Sequence, residues 1–207
     1  DDAAFSDAAA RVYRNRLEAA PPERAFMRIE QTTDPSGLWQ QRRSVGPSAR
    51  GPWTPQIVQT LRRDGAAHIV LVEETNFDEE VELVYDPPLV VAMVNGRPGD
   101  APFQQTTFMR VHPLGNRAAT KARGAAAQQI TLEPAAPGDE PAFAAPVVKR
   151  TLRFTASLSP AEVTNTTTQW LDAAGELAAE TRVERTRVFG LPSRNNRESW
   201  GLVPASP

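Results

Sequence analysis

The N-terminal part of the chain has the pattern of an amphipathic helix. Between residues 3 and 20, apolar residues recur at the spacing of one helix face, while charged residues occupy the other faces. The recurring apolar residues are Phe5, Ala9, Val12, Tyr13 and Leu17. Pro21 and Pro22 follow directly, and proline ends a helix because it lacks the backbone N–H donor. The pattern therefore predicts a helix over 3–20 that packs across an apolar surface.

Beyond residue 24 the pattern changes to short alternating runs that are typical of antiparallel strands. The alternation is clear over 79–86, where Val81, Leu83 and Tyr85 share one face. Asp64-Gly65 is a strong hairpin signal, because both central positions of such a turn need positive φ. This first set of antiparallel strands covers 25–111, with members predicted over 26–33, 38–45, 56–63, 67–74, 79–86, 89–94 and 103–111.

The last third of the chain predicts a β-meander over 147–189. A strand candidate over 128–133 and a Pro/Ala-rich loop over 134–146 precede it. The threonine-rich run 162–171 favours a strand through its β-branched residues. A type I turn follows, because aspartate and glycine occupy the first and last positions of Asp172-Ala173-Ala174-Gly175.

Together these elements predict an α+β fold of mainly antiparallel β-structure. In this fold, a strongly curved sheet or incomplete barrel has the N-terminal helix packed across it. The chain has 207 residues, enough for one full-sized domain, and it shows no internal repeat. We therefore predict a single domain over 1–207.

Composition excludes several classes of protein. The absence of cysteine excludes disulfides, thiol nucleophiles and zinc–thiolate sites. A net charge of −2 argues against a nucleic-acid binder, and no apolar run approaches the roughly 20 residues of a membrane-spanning helix. The sequence starts at Asp1 and has no signal-peptide pattern. We expect a periplasmic or otherwise exported protein whose signal has been removed, although simple trimming would leave the same start.

The order of elements resembles that of a known superfamily. A helix, a proline break, a long antiparallel meander and a closing hairpin around Trp170-Leu171-Asp172-Ala173-Ala174-Gly175 are similar to the periplasmic lipoprotein carriers and related exported open-barrel proteins. The resemblance covers most of the chain through element order and strand texture. It implies a concave apolar face that receives acyl chains, and it assigns no functional residue in this sequence.

Residues suited to catalysis are sparse. The two histidines, His68 and His112, are not spaced to present two nitrogens to one metal ion. The chain also has no nucleophile elbow, no S-x-x-K motif and no phosphate-binding glycine loop. We predict no catalytic residue, no cofactor and no metal site, and we rank a carboxylate-based hydrolase last among the candidate functions.

One segment, 73–86, is rich in carboxylates. If its strand is continuous, Asn76, Asp78, Glu80 and Glu82 lie on one face as hard oxygen ligands of the kind that calcium or magnesium prefers. The alternative is a solvated outer face or an acidic edge that prevents aggregation, and charged residues are mostly exposed. The sequence favours the solvated face and leaves cation binding open.

Arginine and tryptophan supply the candidate ligand-binding residues. Arg185 and Arg187 share a strand face with Val183 and Phe189, so an apolar floor could carry an arginine rim that grips a carboxylate or phosphate head group. Strand twist, a bulge or partner pairing could equally turn both arginines into solvent, where most arginines lie. Trp170 and Trp39 could line the apolar part of such a pocket, although tryptophans more often fill a core.

Two functions follow from these patterns. The first is an exported cell-envelope binding protein that holds a lipid, a lipoprotein acyl chain or another amphiphile on the concave face of a curved sheet. The alternative is a non-enzymatic envelope module that binds protein partners and has no small ligand. A continuous apolar cavity favours the first function, and a filled barrel favours the second.

Overall fold

The computed structural model describes residues 10–33, 36–136 and 147–203. Across these residues, twelve antiparallel strands form a closed barrel. The strands are β1 (Arg11–Asn15), β2 (Phe26–Thr33), β3 (Trp39–Gly46), β4 (Thr54–Asp64), β5 (His68–Asn76), β6 (Val81–Met93), β7 (Phe103–Pro113), β8 (Ala122–Pro134), β9 (Val148–Leu158), β10 (Ala161–Leu171), β11 (Leu177–Val188) and β12 (Leu191–Leu202).

The barrel is an up-and-down meander closed by its first and last strands. Each strand pairs with its neighbours in sequence, and β1 pairs with both β2 and β12. Tyr13 lies opposite Met27 on one side of β1 and opposite Leu202 on the other. Closure through β1 gives the first and last long strands of the meander a common partner, which reduces the sheet edge open to strand-to-strand aggregation.

The predicted antiparallel sheet is confirmed, whereas the predicted α+β class, N-terminal helix and incomplete barrel are wrong. The helical segment among the described residues is one 3-10 turn, Pro22–Arg24. Residues 11–15 of the predicted helix form β1, and residues 1–9 lie outside the described residues. Tyr13 faces the barrel interior and Arg14 is exposed, so this segment follows the two-residue period of a strand. Pairing with β2 on one side and with the distant β12 on the other overrides the local helical spacing.

The connections alternate between the two ends of the barrel. We call the end where β1 begins the proximal end; its connections include 65–67, 94–102 and 172–176. The distal end carries the connections 16–25, 47–53, 77–80, 114–121, 159–160 and 189–190. Most of the predicted 134–146 loop, residues 137–146, lies outside the described residues. No described helix is long and apolar enough to cross a membrane.

Strand β6 stays paired with β5 along its length but loses its second partner, β7, part of the way. Its ladder with β7 ends at Asp86 opposite Phe108, because Pro87 and Pro88 have no N–H to donate. Beyond Asp86, side chains of β7 and β8 form hydrogen bonds with the β6 backbone instead. The Gln105 amide donates to the Pro88 carbonyl at 2.9 Å and accepts from the Val90 N–H at 2.8 Å. The Gln128 amide donates to the Val90 carbonyl.

Substituting Gly124 by alanine is expected to destabilise the barrel by about 1–3 kcal/mol or more. A Cβ at this position would lie 1.8 Å from the Ser157 carbonyl oxygen, and backbone atoms of β9 cannot move aside as a flexible side chain would. Urea unfolding followed by circular dichroism measures the loss. Ala125→Ser, at the exposed neighbouring position, is the matched control, and equal stability of the two variants would contradict the close backbone approach.

Candidate ligand-binding cavity

A cavity of about 1150 Å³ runs through the barrel. Its lining includes Gly175 and Glu176 at the proximal end and Ala161 and Arg194 at the distal end, so it follows the whole barrel axis. Ligand pockets in proteins usually measure roughly 300–1,000 Å³. The interior is therefore large enough for a substantial organic ligand and is not filled by the protein's own side chains.

One wall of the cavity is mainly apolar, although it includes the buried Glu74, which accepts a hydrogen bond from Gln59 at 2.7 Å. It is formed by inward-facing residues of β4–β9, and its Tyr85 and Phe154 rings meet edge to face with their centroids 6.4 Å apart. The residues of this wall that line the cavity include Leu61, Leu71, Val81, Leu83, Tyr85, Leu89, Met109, Val111, Phe154 and Leu158. These side chains would exchange contact with water for contact with an apolar ligand, which is favourable in proportion to the area covered.

The facing wall carries a chain of buried polar groups. Arg43 of β3 forms a bidentate pair with Glu180 of β11, with Nη1–Oε1 at 2.5 Å and Nη2–Oε2 at 3.2 Å. Glu180 Oε2 also accepts from Gln169 Nε2 at 2.6 Å. Gln169 Oε1 in turn accepts from Arg150 Nε at 2.8 Å. Because β3 and β11 are not neighbours, this chain ties two separate parts of the barrel wall together.

The Arg43–Glu180 pair keeps both groups charged. Glu180 is 1% exposed, and burial alone would raise the pKa of its carboxyl. The Arg43 guanidinium and the Gln169 amide outweigh burial and hold that pKa below its ordinary value. Glu180 likewise raises the pKa of Arg43 against the effect of burial. The pair is therefore ionised at neutral pH.

Arg150 differs from Arg43 because none of the described carboxylates bonds to it. Among the described residues its single hydrogen bond goes from Nε to Gln169, so its two terminal nitrogens have no protein partner. Arg150 lines the cavity. Burial lowers the pKa of its guanidinium to about 10, which still leaves it protonated at pH 7. The cavity thus contains a fork of N–H donors suited to a carboxylate or phosphate.

Strand β9 connects this cation to the apolar wall. Along its inward face, Arg150 is followed by Leu152, Phe154 and Leu158, all of which line the cavity. At the usual rise of a strand, Arg150 and Leu158 are about 27 Å apart. The hydroxyl of Tyr85, beside Phe154, has no hydrogen-bond partner within the described ranges. One face of one strand therefore changes from cationic at the proximal end to apolar at the distal end.

The acidic segment 73–86 does not form a continuous strand face. Asn76 ends β5 and Glu82 lies in β6, with Asp78 and Glu80 in the turn between them. Arginines approach its carboxylates: Arg24 bonds to Asp78, and Arg117 lies 2.6 Å from Glu82 and 2.8 Å from Glu73. Hydrogen bonding from Arg117 lowers the pKa of Glu82. In the part of the chain that the structure describes, no three metal-ligating side chains are grouped to hold an ion.

The residues predicted to bind a ligand do not lie together. Trp39 lines the cavity. Trp170 is buried but is absent from the lining, since the inward positions of β10 are Thr167, Gln169 and Leu171. Arg185 and Arg187 are exposed on the outer face of β11, because the alternate positions Arg182, Glu184 and Thr186 line the cavity.

Sequence reasoning missed the polar network because it placed the apolar face of β11 inside. The apolar pattern predicts the face carrying Val183 as the floor of the pocket, yet the opposite face, with Glu180 and Arg182, lines the cavity. The sequence of β9 contained a usable signal for an inward-facing arginine, because Arg150, Leu152 and Phe154 occupy every second position and so lie on one face. A charged residue in register with apolar neighbours marks a position that faces inward with them.

Comparison with known proteins provides no relative for this chain: no family model, no curated protein and no solved structure matches it. The resemblance to the lipoprotein carriers therefore stays a prediction. The function has to be argued from the cavity itself.

Proposed function

We propose that this protein binds one amphiphilic molecule with an anionic head group inside the barrel. The observation that carries the proposal is the pair of unpartnered terminal nitrogens of Arg150, which line the same cavity as an extended apolar wall. A carboxylate or phosphate would receive a bidentate pair of charge-assisted hydrogen bonds there. The apolar tail would follow the inward face of β9 past Leu152 and Phe154.

The energetics of Arg150 support a ligand of this charge. Arg150 is half-buried and no described carboxylate bonds to it; partial desolvation of such a cation is unfavourable, and burial accordingly lowers its pKa although Glu180 acts in the opposite direction. Glu180 lies two steps along the hydrogen-bond chain and is already paired with Arg43. An anionic head group would supply the missing charge, which a neutral ligand would not.

The proposal places the head group at Arg150, not at the rim of Arg185 and Arg187 considered from sequence. Those two side chains are exposed on the outer face and are separated from the cavity by the barrel wall. Trp39 keeps a place in the proposal, because it lines the cavity and packs against the apolar wall. The expected exported location stays a prediction, which fractionation of the native host would check.

Arg150→Gln is expected to weaken oleate binding about tenfold or more, because a hydrogen-bonded charge pair contributes about 1.5–3 kcal/mol. Isothermal titration of oleate into the purified, delipidated protein measures the affinity. Arg153→Gln is the matched control, since it removes an arginine from the exposed face of the same strand. Oleate methyl ester should bind the wild type and Arg150→Gln equally, because it has no anionic head.

A complementary measurement looks for the natural ligand. Protein purified from its native host without detergent is extracted with organic solvent, and the extract is analysed by mass spectrometry. A stoichiometric acidic amphiphile supports the proposal. An empty extract together with no measurable oleate affinity would overturn it and would favour the protein-interaction module.

A further inference from the structure

The turn between β11 and β12 exposes large apolar side chains. Phe189 is 81% exposed and Leu191 is 71% exposed, more than any other large apolar residue that the structure describes. The turn follows Val188 at the distal end, and its two central residues are Phe189 and Gly190. We call residues 188–191 the distal tip. Two adjacent apolar side chains held in water at a hairpin tip require an explanation.

The backbone makes phenylalanine at this position more unusual. Phe189 has φ of 52° and Gly190 has φ of 76°, the signs of a type I′ turn. The first position of that turn favours asparagine, aspartate or glycine, and a bulky aromatic residue with positive φ is strained. Asparagine would satisfy both the backbone and the solvent better, so folding does not account for the aromatic side chain.

Cations flank the distal tip on the outer face of the barrel. The outer faces of β11 and β12 expose Arg185, Arg187 and Arg197, which we call the basic face. Within the described residues, none of the three is in an ion pair. One exposed carboxylate of β10, Glu162, lies opposite Arg187. The basic face therefore has a surplus of positive charge directly behind the apolar tip.

Other distal turns add apolar side chains to the same end. Phe77 and Leu114, in the β5–β6 and β7–β8 connections, are 39% and 40% exposed. The Leu114 N–H donates to the Glu80 carbonyl at 2.9 Å, which joins those two connections. Arg194 of β12 pairs with Glu79, which ties the β5–β6 connection to the strand that leads from the tip. The tip thus belongs to a connected end of the barrel.

We propose that the distal tip inserts into the surface of an anionic lipid bilayer, with the basic face against the head groups. Phe189 and Leu191 would enter the boundary between head groups and acyl chains, as apolar residues of peripheral proteins do. Arg185, Arg187 and Arg197 would neutralise lipid phosphates, and basic residues near an anionic leaflet strengthen binding. The proposal does not depend on a ligand in the cavity.

The test measures co-sedimentation of the full chain with lipid vesicles. Wild-type protein should sediment with vesicles of phosphatidylcholine mixed with phosphatidylglycerol, and less so with phosphatidylcholine alone or at high salt. The Phe189→Asn, Leu191→Ser double variant should lose binding about tenfold or more. The Arg185→Gln, Arg187→Gln double variant should lose about tenfold or more on the mixed vesicles, and with it the preference for the anionic lipid.

Matched controls come from the proximal end. Arg62→Gln, Arg63→Gln removes an exposed arginine pair there, and Val147→Ser removes a 47% exposed apolar residue. Both should bind vesicles like the wild type. Thermal unfolding checks folding, and Phe189→Asn should be at least as stable as the wild type because it relieves the strained turn.

Two results would overturn the proposal. One is wild-type protein that stays in solution with the mixed vesicles; the other is a tip variant that sediments as well as the wild type. Equal binding to both vesicle types would contradict the role of the basic face, because the head-group charge would then make no difference to binding. Wild-type protein that binds neither vesicle type would leave a partner protein's apolar groove as the better occupant. The Phe189→Asn, Leu191→Ser variant should bind oleate with the same affinity as the wild type. Its oleate affinity therefore separates the test of membrane binding from the test of the cavity.

Discussion

Replacing Glu180 by alanine is expected to lower the free energy of unfolding by about 3–5 kcal/mol, the usual effect of removing one partner of a buried ion pair. The carboxylate is 1% exposed, and both Arg43 and Gln169 donate to it. Without it, Arg43 loses its bonded carboxylate and repels Arg150, while Glu74 and Glu198 attract it only at longer range. Urea unfolding at neutral pH measures the change.

Two comparisons isolate the ion pair. Arg43→Met combined with Glu180→Leu should be more stable than either single variant, because the double change leaves no unpaired charge. Glu133→Ala removes a 58% exposed carboxylate that lies 3.5 Å from Lys149, and it should have almost no effect. A double variant as unstable as the sum of its parts would show that the two groups do not interact.

The same pair predicts how stability depends on pH. The folded protein holds the pKa of Glu180 below its ordinary value, so the stabilisation is complete above the ordinary glutamate pKa. It is lost as the pH falls from there through the lower folded-state pKa. The difference in melting temperature between wild type and Glu180→Ala should therefore narrow in acid. A constant difference across that range would contradict an ionised Glu180.

Trp200→Ala is expected to destabilise the barrel by about 3–5 kcal/mol. Trp200 is 1% exposed and packs with Tyr13, Met27, Ile29 and Val45 where the last strand meets the first three. Its indole N–H has no partner within the described residues, so Trp200→Phe loses no hydrogen bond and should cost much less. Chemical denaturation followed by circular dichroism compares the variants.

Trp39→Ala serves as the control for aromatic truncation. Trp39 lines the open cavity and is only half-buried, so its removal leaves a smaller loss of packing than removal of Trp200. If the two alanine variants were equally unstable, the cluster around Trp200 would not be the tighter part of the interior.

Local sequence signals predicted the strands well where a strand pairs with the strands next to it in the sequence. Residues 26–33 form β2 as predicted, and Asp64-Gly65 lies at the β4–β5 connection. The predicted helix failed because β1 is defined by pairing with β12, which no local window contains. The two strands predicted over 79–86 and 89–94 are one strand, because β6 continues through Pro87-Pro88 with β5 as its partner and loses only its ladder with β7.

The candidate site was harder to predict than the fold. Alternation places Arg185 and Arg187 together correctly, but it does not say which face of a strand turns inward. In this barrel the inward face of β11 is the charged one, since Glu180, Arg182 and Glu184 line the cavity. The rule that apolar residues face inward fails where a lumen is large enough to hold polar groups and a ligand.

The seam between β1 and β12 also constrains how the chain reaches its folded state. Tyr13 cannot meet Leu202 until nearly the whole described chain has been synthesised, so the barrel closes after β12 has left the ribosome. Until then, β1 presents an unpaired edge and the Arg43 guanidinium lacks its Glu180 partner. Long-range pairing of this kind folds slowly. The open edge of the nascent sheet is therefore exposed to aggregation until β12 has been synthesised and has paired with β1.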